Sequence, residues 1–165
     1  MPQEMKHQEA LKIAVETEKG LICFYRRAAE MVADEGAKAF FTRLAQEKEE
    51  QAGNFFRYYK GTEFGTLDEF INSSCTYNAE AMKELSSLTD RSVKERRARE
   101  IAMEKEQNLE QVLRGKAKQI IDPGVREIFE RMAKASNTHY QIVESEYARM
   151  MRMPHETDID TYVRE

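Results

Sequence analysis

Hydrophobic side chains recur along this chain every three to four residues, the spacing that gathers them on one face of an α-helix. Ala37, Phe41, Leu44, Lys48, Gln51, Phe55 and Tyr58 form one such stripe, and Lys48 and Gln51 sit in its middle. A polar pair at the centre of an apolar seam marks a site, the remains of one, or a register signal. An earlier stripe, Leu11, Val15, Glu18, Ile22, Tyr25, Ala29 and Val32, has the same form, with Glu18 as its central charge. No long run alternates β-branched with polar residues, which argues against strands.

The breaks between stripes divide the chain. The pattern predicts a first helix from about Glu4 to Ala33, broken at Asp34-Glu35-Gly36, with Asp34 capping the next. The second helix is expected to run to about Lys60, where Gly61 stops it. In residues 61–91, Thr66 and Asn78 read as N-caps of two short helices, Leu67 to Ile71 and Ala79 to Leu88, with 72–77 between them. That is a long connection with local order of its own. A third long helix starts near Ser92 and reaches about Ile121. Asp122-Pro123-Gly124 then turns the chain, with Asp122 as cap and Pro123 at the first helical position. The fourth helix is expected to end near Arg152, stopped by Pro154, leaving a polar tail over 154–165. The expectation is one domain over 1–153, made of hairpins at about 4–60 and 92–152 and a crossover at 61–91.

The two hairpins repeat each other. Asp34 and Asp122, Gly36 and Gly124, and Phe41 and Phe129 are each 88 positions apart. The same step, with no gap, relates Ile13 to Ile101, Ala14 to Ala102, Glu16 to Glu104, Glu18 to Glu106 and Leu21 to Leu109. It continues through Arg26 and Arg114, Ala29 and Ala117, Arg43 and Arg131, Ala45 and Ala133, and Tyr59 and Tyr147. Two unrelated amphipathic helices would share Ala and Leu, but not their turn residues in one register. Two helical hairpins joined by a long connection make an all-α four-helix bundle with one long crossover. A helix of about 25 residues is roughly 37 Å long, a distance the crossover can span. This connection leaves the second and third helices parallel and relates the halves by a pseudo-two-fold.

The repeat also aligns the polar centres. Glu18 corresponds to Glu106, Lys48 to Ser136 and Gln51 to His139. On the fourth helix the seam is Val125, Phe129, Met132, Ser136, His139 and Val143, so His139 points inward. All four helices therefore carry a polar residue at matching height.

Composition narrows the function. A chain of 165 residues can bury a full core. Its net charge of −4 gives no support to nucleic-acid binding. The basic run from Arg91 to Arg99 is interleaved with Glu95 and Glu100 and reads as a solvated face. Cys23 and Cys75 are far apart and form no CxxC, so neither a disulfide framework nor a thiolate zinc site is expected, and Cys23 reads as a small apolar filler. The first residues lack an apolar signal-peptide core, and no apolar run approaches a membrane span. The expectation is a cytoplasmic protein without membrane or nucleic-acid partners.

The phrases Glu16-Thr17-Glu18-Lys19-Gly20-Leu21-Ile22-Cys23-Phe24-Tyr25 and Leu44-Ala45-Gln46-Glu47-Lys48-Glu49-Glu50-Gln51-Ala52, set in a duplicated helix pair with a long crossover, resemble the ferritin-like superfamily. Within it they are most similar to the erythrin domain of rubrerythrin-like proteins, over about residues 8–150. The resemblance implies a ferritin-like bundle holding two irons between a Glu on the first and third helices and a Glu-x-x-His on the second and fourth. Carboxylates neutralise and bridge the ions, and each His supplies a terminal nitrogen. Glu18, Glu106 and His139 match that pattern. Lys48 and Ser136 stand in place of the two bridging Glu, and Gln51 in place of the other His. The paired CxxC motifs of a rubredoxin-type module do not occur in these residues, so a complete rubrerythrin peroxidase is not expected.

In the family's reduced site four Glu balance two divalent ions. Here Glu18 and Glu106 would be balanced by Lys48 and a protonated His139, with the ammonium replacing iron. Other readings stand beside this one. Lys48 either is buried in that way or snorkels past the helix surface. His139 taken alone is more often a hydrogen-bonded core residue than a ligand. Glu47, Glu49, Glu50 and Glu104 read as solvated, and Glu110 as either an added inward carboxylate or a surface residue. The leading expectation is a non-catalytic binding or assembly scaffold with no cofactor. Its rival is an oxidoreductase or metal-binding protein with one iron, manganese or zinc ion on Glu18, Glu106 and His139, assisted by Glu110. The resemblance suggests a homodimer; no small-molecule substrate is indicated.

Overall fold

Helices α1 (Pro2–Met31), α2 (Glu35–Phe56), α3 (Leu67–Ile71), α4 (Ala79–Ser87), α5 (Arg91–Gln119) and α6 (Pro123–Arg164) build the fold, with no strand among the described residues. The computed structural model describes residues 2–76 and 78–164, with side chains over 7–152 apart from 77.

Repeated caps set the repeated hairpins. The Asp34 carboxylate accepts the Ala37 N–H at 2.9 Å, and the Asp122 carboxylate accepts that of Val125 at 3.0 Å. Each occupies one of the donors that a helix start leaves without a partner. Asp90 does the same for α5 through the Val93 N–H. Thr66 and Glu69 form a reciprocal capping box at α3. Gly65, just before it, turns the chain at φ +72°, where a Cβ would be strained.

α1 packs along α2 and α5 along α6, while α1 meets α5 and α2 meets α6 across the bundle. The pairs Glu47–His139, Asn54–Met132 and Phe55–Phe129 run in opposite order along α2 and α6, so these helices are antiparallel. With α5 and α6 joined by a tight turn, α5 runs parallel to α2, as the crossover requires. Leu11, Val15, Phe41, Leu44, Phe55, Leu109, Leu113 and Phe129 fill the core. Each buried side chain of this size stabilises the fold by about 1.5–3 kcal/mol.

The crossover packs on the first hairpin through α3 and against both α1 and α5 through α4. Ile71 and Leu67 pack on Ile22 and Ala52, and Phe70 stacks between Phe56 and Phe64. Lys19, fully buried, donates from Nζ to the carbonyls of Phe70 and Ile71 at 2.7 Å and of Ser73 at 2.9 Å. An ammonium here satisfies the carbonyls that the end of a short helix leaves open.

Several expectations are corrected. Cys23 and Cys75 are joined by a disulfide, with Cα atoms 5.7 Å apart, because the crossover folds back over α1 despite a separation of 52 residues. Arg99 belongs to the core and not to a solvated face. Its guanidinium lies over the rings of Phe40 and Phe41 and donates to the Glu95 carbonyl at 3.0 Å. Helix α2 ends at Phe56, before Gly61 is reached. Asn78 takes a left-handed conformation at φ 58° and makes no side-chain cap. Helix α6 passes Pro154 and continues to Arg164, since a proline removes one ladder bond and leaves those of the neighbouring turns in place. The side chains of the expected polar tail, and Tyr77 in the connection, lie outside the described residues.

Candidate functional site

The centre of the bundle is where the four helices bring their polar residues together. Periodicity alone turns Glu18, Lys48, Glu106 and Ser136 inward, and none of the four has measurable exposure. Lys48 Nζ lies 2.7 Å from Glu106 Oε1, 3.7 Å from Glu18 Oε2 and 3.5 Å from Ser136 Oγ. Of the two readings of Lys48, the structure has the buried one. Tyr25 on α1 donates its hydroxyl to Glu106 Oε2 at 2.6 Å, a short charge-assisted bond.

The ionisation states follow from burial and neighbours. Burial would push the Lys48 ammonium down, but Glu18 and Glu106 outweigh it and its pKa is raised, so it is charged at neutral pH. Burial, with Glu106 adding to it, pushes Glu18 up to about 7 against the pull of Lys48. Tyr25 is held well above its ordinary value by burial and by Glu106, so it remains a donor.

His139 differs from the expectation. Burial and the nearby Lys48 ammonium push its pKa down, so the imidazole is neutral at pH 7 rather than the second cation of the centre. Its Nε2 faces Glu47 Oε2 at 2.7 Å, and a neutral ring beside a carboxylate must donate from that nitrogen. Nδ1 then carries the lone pair, 3.8 Å from Glu106 Oε2. Glu47, expected to be solvated, is half-exposed and tied to the site through this bond.

The remaining candidates are placed as follows. Glu110 accepts from Arg114 at 2.8 Å and from Asn137 at 3.0 Å, between α5 and α6. Gln51 is half-buried, and its Oε1 has no hydrogen-bond partner among the described residues. Both oxygens of Glu18 and Nδ1 of His139 are likewise without one. Lys19 escaped sequence reasoning because it lies off the inward seam. Nothing in its spacing announces the crossover that covers it.

Two irons do not fit these residues. The second helix offers Lys48 and Gln51 where a carboxylate and an imidazole are needed, and a charged ammonium holds the space between the two remaining carboxylates. Among the described residues no group of three or more His, Cys, Asp or Glu is arranged to hold a metal ion.

No helix among the described residues is long and apolar enough to cross a membrane. Comparison with curated proteins gives no match, and comparison with solved structures gives none. The family model Rubrerythrin does match, over residues 9–147, which takes in both hairpins and the crossover between them. With that match over most of its length and the ferritin-like arrangement of its helices, the chain belongs to the rubrerythrin family.

Proposed function

We propose that this chain is a rubrerythrin-family bundle whose two-iron centre has been replaced by a buried ion-pair network, and that it acts by binding or assembly rather than catalysis. The observation that carries this reading is the Lys48 ammonium, fully buried and 2.7 Å from Glu106, in the space a metal would need. A buried carboxylate without a counter-charge is costly, and an ammonium relieves that cost without metal. Metal analysis of untagged protein, purified without chelator, tests it. Less than a tenth of an equivalent of metal per chain supports the reading, and two equivalents of iron overturn it.

A second reading has its own observation. The Glu18 oxygens and His139 Nδ1 lack hydrogen-bond partners among the described residues, and together with Glu106 these residues are of the types that hold one iron, manganese or zinc ion. Such an ion would have to displace the Lys48 head from Glu106. One tightly held equivalent of metal, lost in a Glu18→Gln variant, favours this reading. A homodimer and a cytoplasmic setting belong to the same proposal, and light scattering tests the dimer.

A further inference from the structure

The disulfide between Cys23 and Cys75 joins two residues of unequal access. Cys23 on α1 is 1% exposed, whereas Cys75 lies in the exposed stretch 72–76 after α3. That stretch has a second set of anchors on its α3 side. Lys19, one turn before Cys23 on α1, takes the carbonyls of Phe70, Ile71 and Ser73 and approaches the Ser73 hydroxyl at 3.2 Å. Arg26 adds the Ile71 carbonyl at 3.2 Å and the Asn72 side-chain oxygen at 3.3 Å. Phe70 is fixed by Phe56 and Phe64. α3 therefore stays on α1 without the covalent bond, α4 is held separately by its buried Leu85, and the bond restrains the stretch 74–76 between them.

A disulfide open to attack from one side, with independent anchors next to it, can be broken without unfolding the protein. We propose that Cys23–Cys75 is a thiol-exchange site, cleaved by a dithiol reductant in the folded chain to loosen the stretch 74–76 between α3 and α4, α4 itself staying held by the buried Leu85. A thiolate of the dithiol attacks the Cys75 sulfur, and the bond to Cys23 breaks. Cys23 leaves with the electron pair and takes up a proton. The second thiol of the reductant then attacks its own sulfur in the mixed disulfide and expels Cys75, which takes up the second proton. The protein gains two electrons and two protons, and the reductant leaves as its disulfide. Attack at Cys75 is favoured because the body of the bundle covers Cys23. In a reducing compartment a bond of this kind is transient; the exchange does not depend on the metal content of the bundle centre.

The test uses the full oxidised chain in native buffer with dithiothreitol, quenched with N-ethylmaleimide and read by mass spectrometry and hydrogen exchange. Both thiols should label with the helical circular dichroism unchanged. Amide exchange should rise at least tenfold over 74–76 and stay constant in α1 and α2. In single-cysteine variants, Cys75 in Cys23→Ala should label at least ten times faster than Cys23 in Cys75→Ala. A bond that yields only in denaturant overturns the proposal, as does exchange that rises throughout α1 and α2. Equal labelling of the two single-cysteine variants, or an oxidised wild-type chain with two free thiols, also overturns it.

Discussion

Lys48 and Ser136 occupy the same position in the two repeats, and they meet, with Nζ 3.5 Å from Oγ. Residues on the pseudo-two-fold axis face their own equivalents, so without a counter-ion between them two long side chains of one charge repel at that position. One lysine and one serine resolve the conflict: the cation fills the centre, and the hydroxyl leaves it room. The two carboxylates, Glu18 and Glu106, are equivalent in the repeat but share the one ammonium unequally, at 3.7 and 2.7 Å.

Lys48→Met should therefore cost about 3–5 kcal/mol, because it leaves buried carboxylates without their counter-charge. Lys48→Met combined with Glu18→Gln should recover part of the loss, since one carboxylate is then removed. Urea unfolding of the single and double variants measures both. A single variant within about 0.5 kcal/mol of wild type would mean that the ammonium contributes no more than a surface group.

The stability of the fold should fall with rising pH across the range where Glu18 titrates. Its carboxyl binds a proton more tightly in the folded chain, near pH 7, than in the unfolded chain, near 4.5. The contribution is thus fully present below about pH 4.5 and is lost as pH rises to about 7, by on the order of 3 kcal/mol. His139 acts in the opposite sense. Its pKa is depressed below 6.5, so its neutral form favours the fold, and that contribution is lost as pH falls below 6.5. Glu18→Gln should remove the decline with rising pH and leave the acid-side loss from His139. Unchanged pH profiles in the two proteins would show that Glu18 does not titrate in this range.

Much of the bundle was legible because periodicity and turn chemistry are local. The inward position of Glu18, Lys48, Glu106 and His139 follows from helical spacing, and the Asp34 and Asp122 caps from the repeat. What escaped depends on the crossover or on neighbours across helices. Cys75 reaches Cys23, and Lys19 reaches Phe70, only once residues 61–91 are laid over α1. Arg99 sat in a run of charges, and only the rings of Phe40 and Phe41 show that it turns inward. The charge on His139 was misjudged for a related reason. Counting ions gave it a proton, whereas burial and an adjacent ammonium keep it neutral.

The crossover should depend on its two anchors to different degrees. Cys75→Ser opens a loop with a sequence separation of 52, for which chain entropy gives a loss of about 4 kcal/mol. Lys19→Met removes a charged donor from three backbone carbonyls, at a cost of about 1.5–3 kcal/mol for each hydrogen bond to a charged group left unreplaced. Lys19→Met should also raise amide exchange in α3, which Cys75→Ser should leave unchanged. Equal loosening of α3 in both variants would show that the disulfide, and not the ammonium, holds that helix.

The repeat supports one constructive experiment. Lys48→Glu, Gln51→His and Ser136→Glu together complete Glu-x-x-His on α2 and α6 at positions where Lys48 and Ser136 already meet. The triple variant would direct four carboxylates and two imidazoles at one point. Without metal it should melt below wild type, because like charges converge in a buried space. With ferrous iron under anaerobic conditions the melting temperature should recover, since binding to the folded state alone stabilises it by mass action. Thermal melts with and without iron, and iron counted per chain, report the outcome. A triple variant that folds but takes up no more iron than wild type would show that the helices no longer hold the six positions at metal-binding separation. Tight uptake of one iron by wild type itself would instead favour the single-metal reading of Glu18, Glu106 and His139.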